Sequence, residues 1–344
     1  MSKRINTLVI GAPGWLGTRL VHALSDSNDS LQKYSISKER NVRALILPNV
    51  NISSLPSDKI EMVKGNVLDQ ESLKEAMKGI DIVFYCVGLI HPKKIQELFR
   101  INVEGTKNAL EAATNAGVKR FIYISSNSPA GFNKSRKELM KETDKPKPYM
   151  AYGKSKFQAE KLINQYHTEG KLETVILRPC WFYGPGQPDR QLRFFDMIKA
   201  GNPIMFGDGK NLRSMSFLDN TVQAMLLAEK TKEANGETYW IADDRPYSTD
   251  EIYRTVAKLL GSEKKYKPRR IPAISSWICG KVDWLIQKTG MYSTDFHVAG
   301  EMAMDIACDI SKAKKELGYK PEVSLEEGMK QSIEYAKKYQ GFKI

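Results

Sequence analysis

Tyr152-Gly-Lys-Ser-Lys156 sets a phenol and an ammonium four residues apart, on one face of a helix. A nearby cation stabilises a phenolate and lowers a pKa that starts near ~10. A tyrosine held that way can exchange a proton with a hydroxyl or carbonyl oxygen. The spacing by itself selects nothing, because Tyr34/Lys38 and Tyr339/Lys343 repeat it. Position selects: only Tyr152 follows a strand-like run that ends in serines, Phe121-Ile-Tyr-Ile-Ser125-Ser126. A Ser126 hydroxyl at the end of that strand can bond the same oxygen, polarising and orienting it. Ordinary strand-end turn chemistry is the competing account of the two serines. Ser126, Tyr152 and Lys156 are therefore the candidate catalytic residues.

A second constellation opens the chain. Gly11-Ala-Pro-Gly14-Trp15-Leu16-Gly17 lies between the apolar run Ile5–Ile10 and a helical pattern of Leu16, Leu20, Val21 and Leu24. Glycines in that place permit a tight turn and close backbone approach to a pyrophosphate, while the helix N-terminus supplies N–H donors. The expectation is a dinucleotide site built from Gly11, Gly14, Trp15, Leu16 and Gly17; the alternative is a glycine-rich connection that only packs helix on strand. An acid ending the second strand would favour NAD and a basic cluster NADP. Leu45-Ile-Leu-Pro48 offers neither, and Arg40 and Arg43 are nearby. NAD is preferred, with NADP left open.

The elements that must position these residues alternate. Strand-like segments at 5–10, 42–47, 60–64, 82–87, 120–125 and 173–177 are separated by helical ones at 16–24, 72–77, 102–116 and 152–166. That alternation predicts βαβ units and an α/β, doubly wound parallel sheet of Rossmann type. After Arg178-Pro179 the chain turns rich in Gly and Pro, with helices near 191–200, 220–230, 250–260, 274–289, 311–317 and 325–338, and a strand at 238–241. The expected division is a nucleotide-binding domain over 1–180 and a smaller C-terminal substrate-binding lobe over 181–344, with some segments returning to the sheet. The polar stretch 25–40 reads as a loop.

Bulk properties bound the function. The net charge is +13, but lysines are scattered and interleaved with acids, which reads as a solvated surface or as attraction for an anionic substrate. No zinc-finger, zipper or RNA-recognition pattern accompanies the charge, so no nucleic-acid partner is expected. No apolar run approaches the ~18 residues of a membrane span, and 1–10 lack a secretory pattern. Four separated cysteines and four histidines without metal spacing predict no metal site and a reducing, cytoplasmic setting.

These motifs, in this order, resemble the extended short-chain dehydrogenase/reductases, or NAD-dependent epimerase/dehydratase family. The resemblance covers nearly the whole chain and includes Asp81–Gly88, Asn102-Val-Glu-Gly-Thr106, Leu177-Arg-Pro179, Tyr183-Gly-Pro-Gly186, Phe217-Leu-Asp-Asn220 and Glu316–Pro321. It implies that Ser126 and Tyr152 contact the reacting oxygen and that Lys156 binds the nicotinamide ribose. It implies that Val87 and Gly88 pass the cofactor, that Asn102 supports the site and that Pro179 borders the nicotinamide. Asn66 and Val67 would meet the adenine, although the family usually has Asp where Asn66 stands. A homodimer through the Asn102 and Tyr152 helices is also implied.

The substrate stays divided. Asn127-Ser-Pro129 replaces the acidic pair of sugar-nucleotide dehydratases, which argues against dehydration. Arg213, six residues before Asp219, resembles the arginine that such enzymes place on a substrate diphosphate, and its planar fork suits phosphate. With Tyr183 it forms the expected substrate set, and an anionic sugar nucleotide is the first expectation. The segment Arg270-Ile-Pro272 with the apolar helix 274–286 instead resembles 3β-hydroxysteroid dehydrogenase-like members. There Trp277, Ile278, Trp284 and Leu285 would line an apolar pocket, touch a membrane surface or face the core. A non-catalytic cofactor-binding protein is the remaining alternative.

Overall fold

The computed structural model describes residues 4–343. β1 (Ile5–Ile10) turns into α1 (Trp15–Ser25), followed by β2 (Arg40–Ile46), β3 (Glu61–Lys64), α2 (Gln70–Met77) and β4 (Ile82–Tyr85). α3 (Ile95–Phe99), α4 (Gly105–Asn115), β5 (Arg120–Ile124), α5 (Met150–Thr168) and β6 (Glu173–Pro179) come next. Beyond Pro179 lie β7 (Trp181–Tyr183), α6 (Asp189–Lys199), β8 (Ile204–Phe206), β9 (Leu212–Arg213), β10 (Met215–Phe217) and α7 (Leu218–Lys230). β11 (Thr238–Ile241), β12 (Tyr247–Ser248), α8 (Thr249–Leu259) and β13 (Arg269–Ile271) lead to α9 (Ile274–Lys288), α10 (Thr294–Glu301), α11 (Ser311–Leu317) and α12 (Leu325–Tyr339).

Seven strands form one sheet in the order β11-β6-β5-β4-β1-β2-β3. Every pairing is parallel, as the alternating pattern predicts. Both faces are covered, so all four residues of β4 and all five of β5 are buried. One core joins the sheet to α1, α7 and α11, and the other joins it to α2, α4 and α5. A third core, around Tyr183, Phe195, Phe217, Tyr253 and Met329, belongs to the C-terminal part. The strand predicted at 238–241 enters the main sheet beside β6.

Three details depart from the periodicity. The stretch 25–40 contains a 3₁₀ turn at Ser30–Tyr34, capped by the Asp29 side chain on the Leu31 N–H. Asn102 lies in a π-helical turn, Arg100–Glu104, between α3 and α4 rather than at the start of a long helix. β7 to β10 and β12 to β13 have two or three residues each, too few for a period-two signal to show.

Candidate active site

The turn after β5 and the first turn of α5 are locked together. The Tyr149 N–H donates to the Ser128 carbonyl at 3.0 Å. A Cβ on Gly153 would stand 2.6 Å from that same oxygen, so only glycine lets helix and turn meet this closely. The lock brings the Tyr152 phenol to the Ser126 side; burial pushes Tyr152 up to about 12, and the Ser126 hydroxyl acts in the opposite sense, favouring the phenolate. The Ser126 Oγ is itself held by the Ser128 N–H at 3.3 Å.

Lys156 sits one turn further along α5, buried, with Nζ donating to the Ile124 carbonyl at 2.8 Å and 4.2 Å from the Tyr123 ring centroid. Desolvation lowers its pKa to about 7, against the pull of Glu160 and Cys86. The two serines divide their work. Ser125 donates to Glu160 at 2.6 Å, and Glu160 is paired with Arg178 in a buried bidentate bridge. Ser125 thus fastens β5 to α5 and β6, and Ser126 is the hydroxyl beside Tyr152.

Asn102 clamps the other wall. Its Oδ1 accepts from the Leu89 N–H at 2.8 Å, and its Nδ2 donates to the Leu89 carbonyl and to Ser155 Oγ, each at 3.0 Å. Ser155 in turn donates to the Tyr152 carbonyl at 2.8 Å. The segment Val87-Gly88 that follows β4 is therefore pinned beside α5, and a Cβ on Gly88 would lie 3.8 Å from Lys156 Nζ.

The glycine turn has the form a pyrophosphate needs. Gly11 adopts φ +117 and packs on the Cys86 backbone, the Gly14 N–H donates to the Gly11 carbonyl, and a Gly17 Cβ would sit 2.5 Å from that carbonyl. The N-cap of α1 is Gly14, without a side-chain acceptor, and the first turn carries no acid. Its N–H donors are left for an anion, which fits a dinucleotide. Trp15 Nε1 donates to the Pro185 carbonyl at 2.7 Å, and Leu16 packs on the core below the turn. Pro179, buried, closes the C-terminal end of β6.

Other expected contacts are placed differently. The Asn66 Oδ1 accepts from the Leu68 N–H at 3.0 Å, an Asx turn that engages the oxygen expected to meet adenine. Val67 packs against Gly105 and its carbonyl accepts from Asn108. Arg40 forms a buried pair with Glu229 at 2.7 Å, and Arg43 bonds Glu61 and the carbonyls of Ala76 and Lys78. Both arginines are tied to structural partners, and neither is free for a 2′-phosphate. Tyr183 donates to the buried Asp243 at 2.6 Å in the C-terminal core, a structural role that accounts for its hydroxyl.

Arg213 is 1% exposed. One Nη donates to the Glu301 carbonyl, the other has no acceptor, and the guanidinium lies 4.3 Å from the Trp181 ring centroid. Burial lowers its pKa to about 10.

The sequence reading missed a polar wall that α9 and α10 build over Tyr152. Asp283 accepts from or pairs with His297 Nδ1 at 2.9 Å and accepts from Gln287 at 2.9 Å. Gln287 Oε1 accepts the Ala151 N–H at 2.9 Å, next to Tyr152. The Glu301 carboxylate, 4.0 Å from His297, has its pKa raised by burial. Tyr152 packs with Tyr292, whose hydroxyl is buried without a partner, as is that of Tyr149. An Asp inside the apolar run Val282–Ile286, and His297 four residues before Glu301, were the available signals.

The comparisons with known proteins agree with this fold. The model of the 3-beta hydroxysteroid dehydrogenase/isomerase family matches residues 8–270, so the chain belongs to that family. It is an enzyme of the extended short-chain dehydrogenase/reductase type. It is 38% identical to the uncharacterized protein y4nL of Sinorhizobium fredii, over 96% of this chain and 95% of that one. It is 29% identical to a decarboxylating sterol-4-alpha-carboxylate 3-dehydrogenase of Candida albicans, over 96% and 97%. It is 27% identical to a UDP-glucose 4-epimerase of Vibrio cholerae, over 95% and 94%. Among solved structures it is similar to the dTDP-glucose 4,6-dehydratase DesIV of Streptomyces venezuelae with NAD and TYD bound. The TM-score is 0.76 at 22% identity, covering 98% of each chain.

Proposed function

We propose that the chain is an NAD-dependent dehydrogenase/reductase acting at a secondary alcohol or ketone of a predominantly apolar substrate. The observation that carries the redox reading is the convergence of Ser126 at the end of β5, Tyr152 on the first turn of α5 and Lys156 Nζ buried one turn further, anchored on the Ile124 carbonyl. With its pyrophosphate at the glycine turn, the cofactor would supply or accept the hydride through its nicotinamide. Tyr152 takes the hydroxyl proton on oxidation and returns it on reduction. Ser126 orients the oxygen, and Lys156, anchored on Ile124, holds positive charge near the phenolate and the ribose. NAD is favoured over NADP because Arg40 and Arg43 are engaged elsewhere. Asn127 and Ser128 give no acid–base pair for eliminating water.

The apolar substrate class is supported by the family match and the sterol dehydrogenase relative, together with a cavity of about 230 Å³ beside the start of α5. Phe132, Tyr149, Met150, Trp277, Trp284 and Met304 line it. A sugar nucleotide, epimerised or oxidised, is the second reading, and the Arg213 Nη1 without an acceptor favours it. The expected homodimer would use the outer faces of α3, α4 and α5, where Phe99, Val103, Lys107 and Leu162 line an open groove. Four free thiols, including Cys180 and Cys308 with sulfurs 3.6 Å apart, suit the reducing cytoplasm.

The test is NADH formation from NAD and a panel of 3-hydroxysteroids, with UDP- and dTDP-sugars run in parallel. Net NADH with the apolar alcohols supports the reading. Interconversion of UDP-sugars without net NADH would replace it by the second.

A further inference from the structure

α9 is turned inside out. Its polar residues Ser276, Asp283 and Gln287 are buried, while Ile274, Trp277, Ile278, Trp284 and Leu285 are 57, 53, 50, 45 and 57% exposed. The spacing 274, 277/278, 281, 284/285, 288 draws one continuous stripe along the outer face. The inward polar residues have work there: Ser276 bonds the Ala299 and Gly300 carbonyls, and Asp283 and Gln287 build the wall over Tyr152. The outward apolar ones touch no core. Met291, Phe296 and Val298 continue the exposed patch onto the following turn and α10.

Basic residues surround the patch. Arg269 and Arg270 are exposed just before α9, and Lys93 and Lys94 are exposed where that segment meets Tyr292 and Met291 at the other end. Lys281 and Lys288 lie on the helix, with Nζ 5.3 Å from the Trp277 ring and 3.8 Å from the Trp284 ring. The acids close to them are few: Glu97 caps the Lys94 N–H, Asp283 is buried on His297, and Asp295 is exposed on α10. Exposed tryptophan and aliphatic side chains rimmed by lysine and arginine match a bilayer interface, where rings sit at headgroup depth and cations meet anionic lipid. A second copy of the chain would bring like charges together on such a face. No helix among the described residues is long and apolar enough to cross a membrane.

We propose that the α9–α10 face docks the enzyme on the surface of an anionic membrane, with the α9 stripe in the interfacial layer and the six basic residues on the headgroups. The proposal stands apart from the substrate reading, although Trp277 and Trp284 also border the cavity beside α5.

The full chain would be sedimented with vesicles of phosphatidylcholine and with vesicles of equal parts phosphatidylcholine and phosphatidylglycerol. Binding to the mixed vesicles, with a blue shift of tryptophan emission and release by high salt, is expected. The triple variant Ile274→Ser, Ile278→Ser, Leu285→Ser removes stripe residues outside the cavity and should bind at least about tenfold more weakly. Its retained NAD affinity and unchanged melting temperature would show that it folds. Two results overturn the proposal: a wild-type protein left in the supernatant with both vesicles, or a folded triple variant that binds as well as wild type. A wild-type dimer that the triple variant splits, without vesicle binding, would assign the face to self-association instead.

Discussion

The Oε1 of Gln287 accepts the backbone N–H of Ala151 at 2.9 Å, so α9 is fastened to the residue before Tyr152. The same side chain donates to Asp283, which holds His297. The outer helix of the C-terminal part and the first turn of α5 are therefore one hydrogen-bonded unit, and the position of the phenol depends on both.

Gln287→Ala should leave the Ala151 N–H without its partner. A buried donor left unsatisfied costs about 1–3 kcal/mol. The expected outcome is a lower melting temperature and a kcat that falls more than NAD affinity does. Parallel calorimetry and steady-state kinetics check it; a kcat equal to wild type would show that α9 does not position Tyr152.

Gly17→Ala should abolish the phosphate turn. The new Cβ would meet the Gly11 carbonyl oxygen at 2.5 Å, a backbone atom that cannot swing aside. NAD affinity, read by fluorescence titration, should drop by at least about tenfold, with a loss of stability beside it.

The buried Lys156 gives a pH signature. Its folded pKa, lowered to about 7 from 10.5, means that the unfolded chain binds more protons between those values. Stability therefore rises with pH across that window, and the cost of burying the ammonium is complete below about 7. Lys156→Met removes the titration. Relative to wild type without cofactor, the variant should gain most near pH 6 and lose that advantage as pH approaches 10. Denaturant melts at both pH values check the sign; a difference independent of pH would contradict the assignment. Activity of the variant should be lost.

Arg213 separates the two substrate readings. Arg213→Met replaces a buried cation that has one open Nη by an apolar chain of similar length. An apolar substrate predicts little change in KM, whereas a substrate diphosphate predicts a rise of about tenfold or more, as expected when a charge-assisted fork is lost. Kinetics with the best substrate of each class decide.

The sheet and its central residues were legible because their signals are local. Glycine spacing sits between a strand and a helix, and Tyr152 and Lys156 fall on one helical face. Ser126 was chosen over Ser125 in sequence, but the work of Ser125 was not legible there; the buried Glu160–Arg178 bridge shows where its hydroxyl is engaged. What holds Arg40 and Arg43 was not legible, because their acceptors, Glu229 and the Ala76 carbonyl, are distant in the chain. α9 was legible as a helix, but its stripe alone could not say which side faces inward. That choice is made by Asp283 and Gln287, whose partners His297 and Ala151 arrive from other segments. Tyr183 matched the motif and turned out to anchor Asp243.

The central claim is that the Tyr152 phenol carries the proton. Tyr152→Phe keeps the ring packed against Tyr292 and removes only the hydroxyl on the Ser126 side. NADH formation should be followed for wild type and variant with the same alcohol, alongside NAD titration. The account predicts a kcat lower by about 10²-fold or more, the size of a lost acid–base group, with NAD affinity unchanged. A variant that turns over at the wild-type rate would contradict it and return the site to the role of a cofactor-binding scaffold.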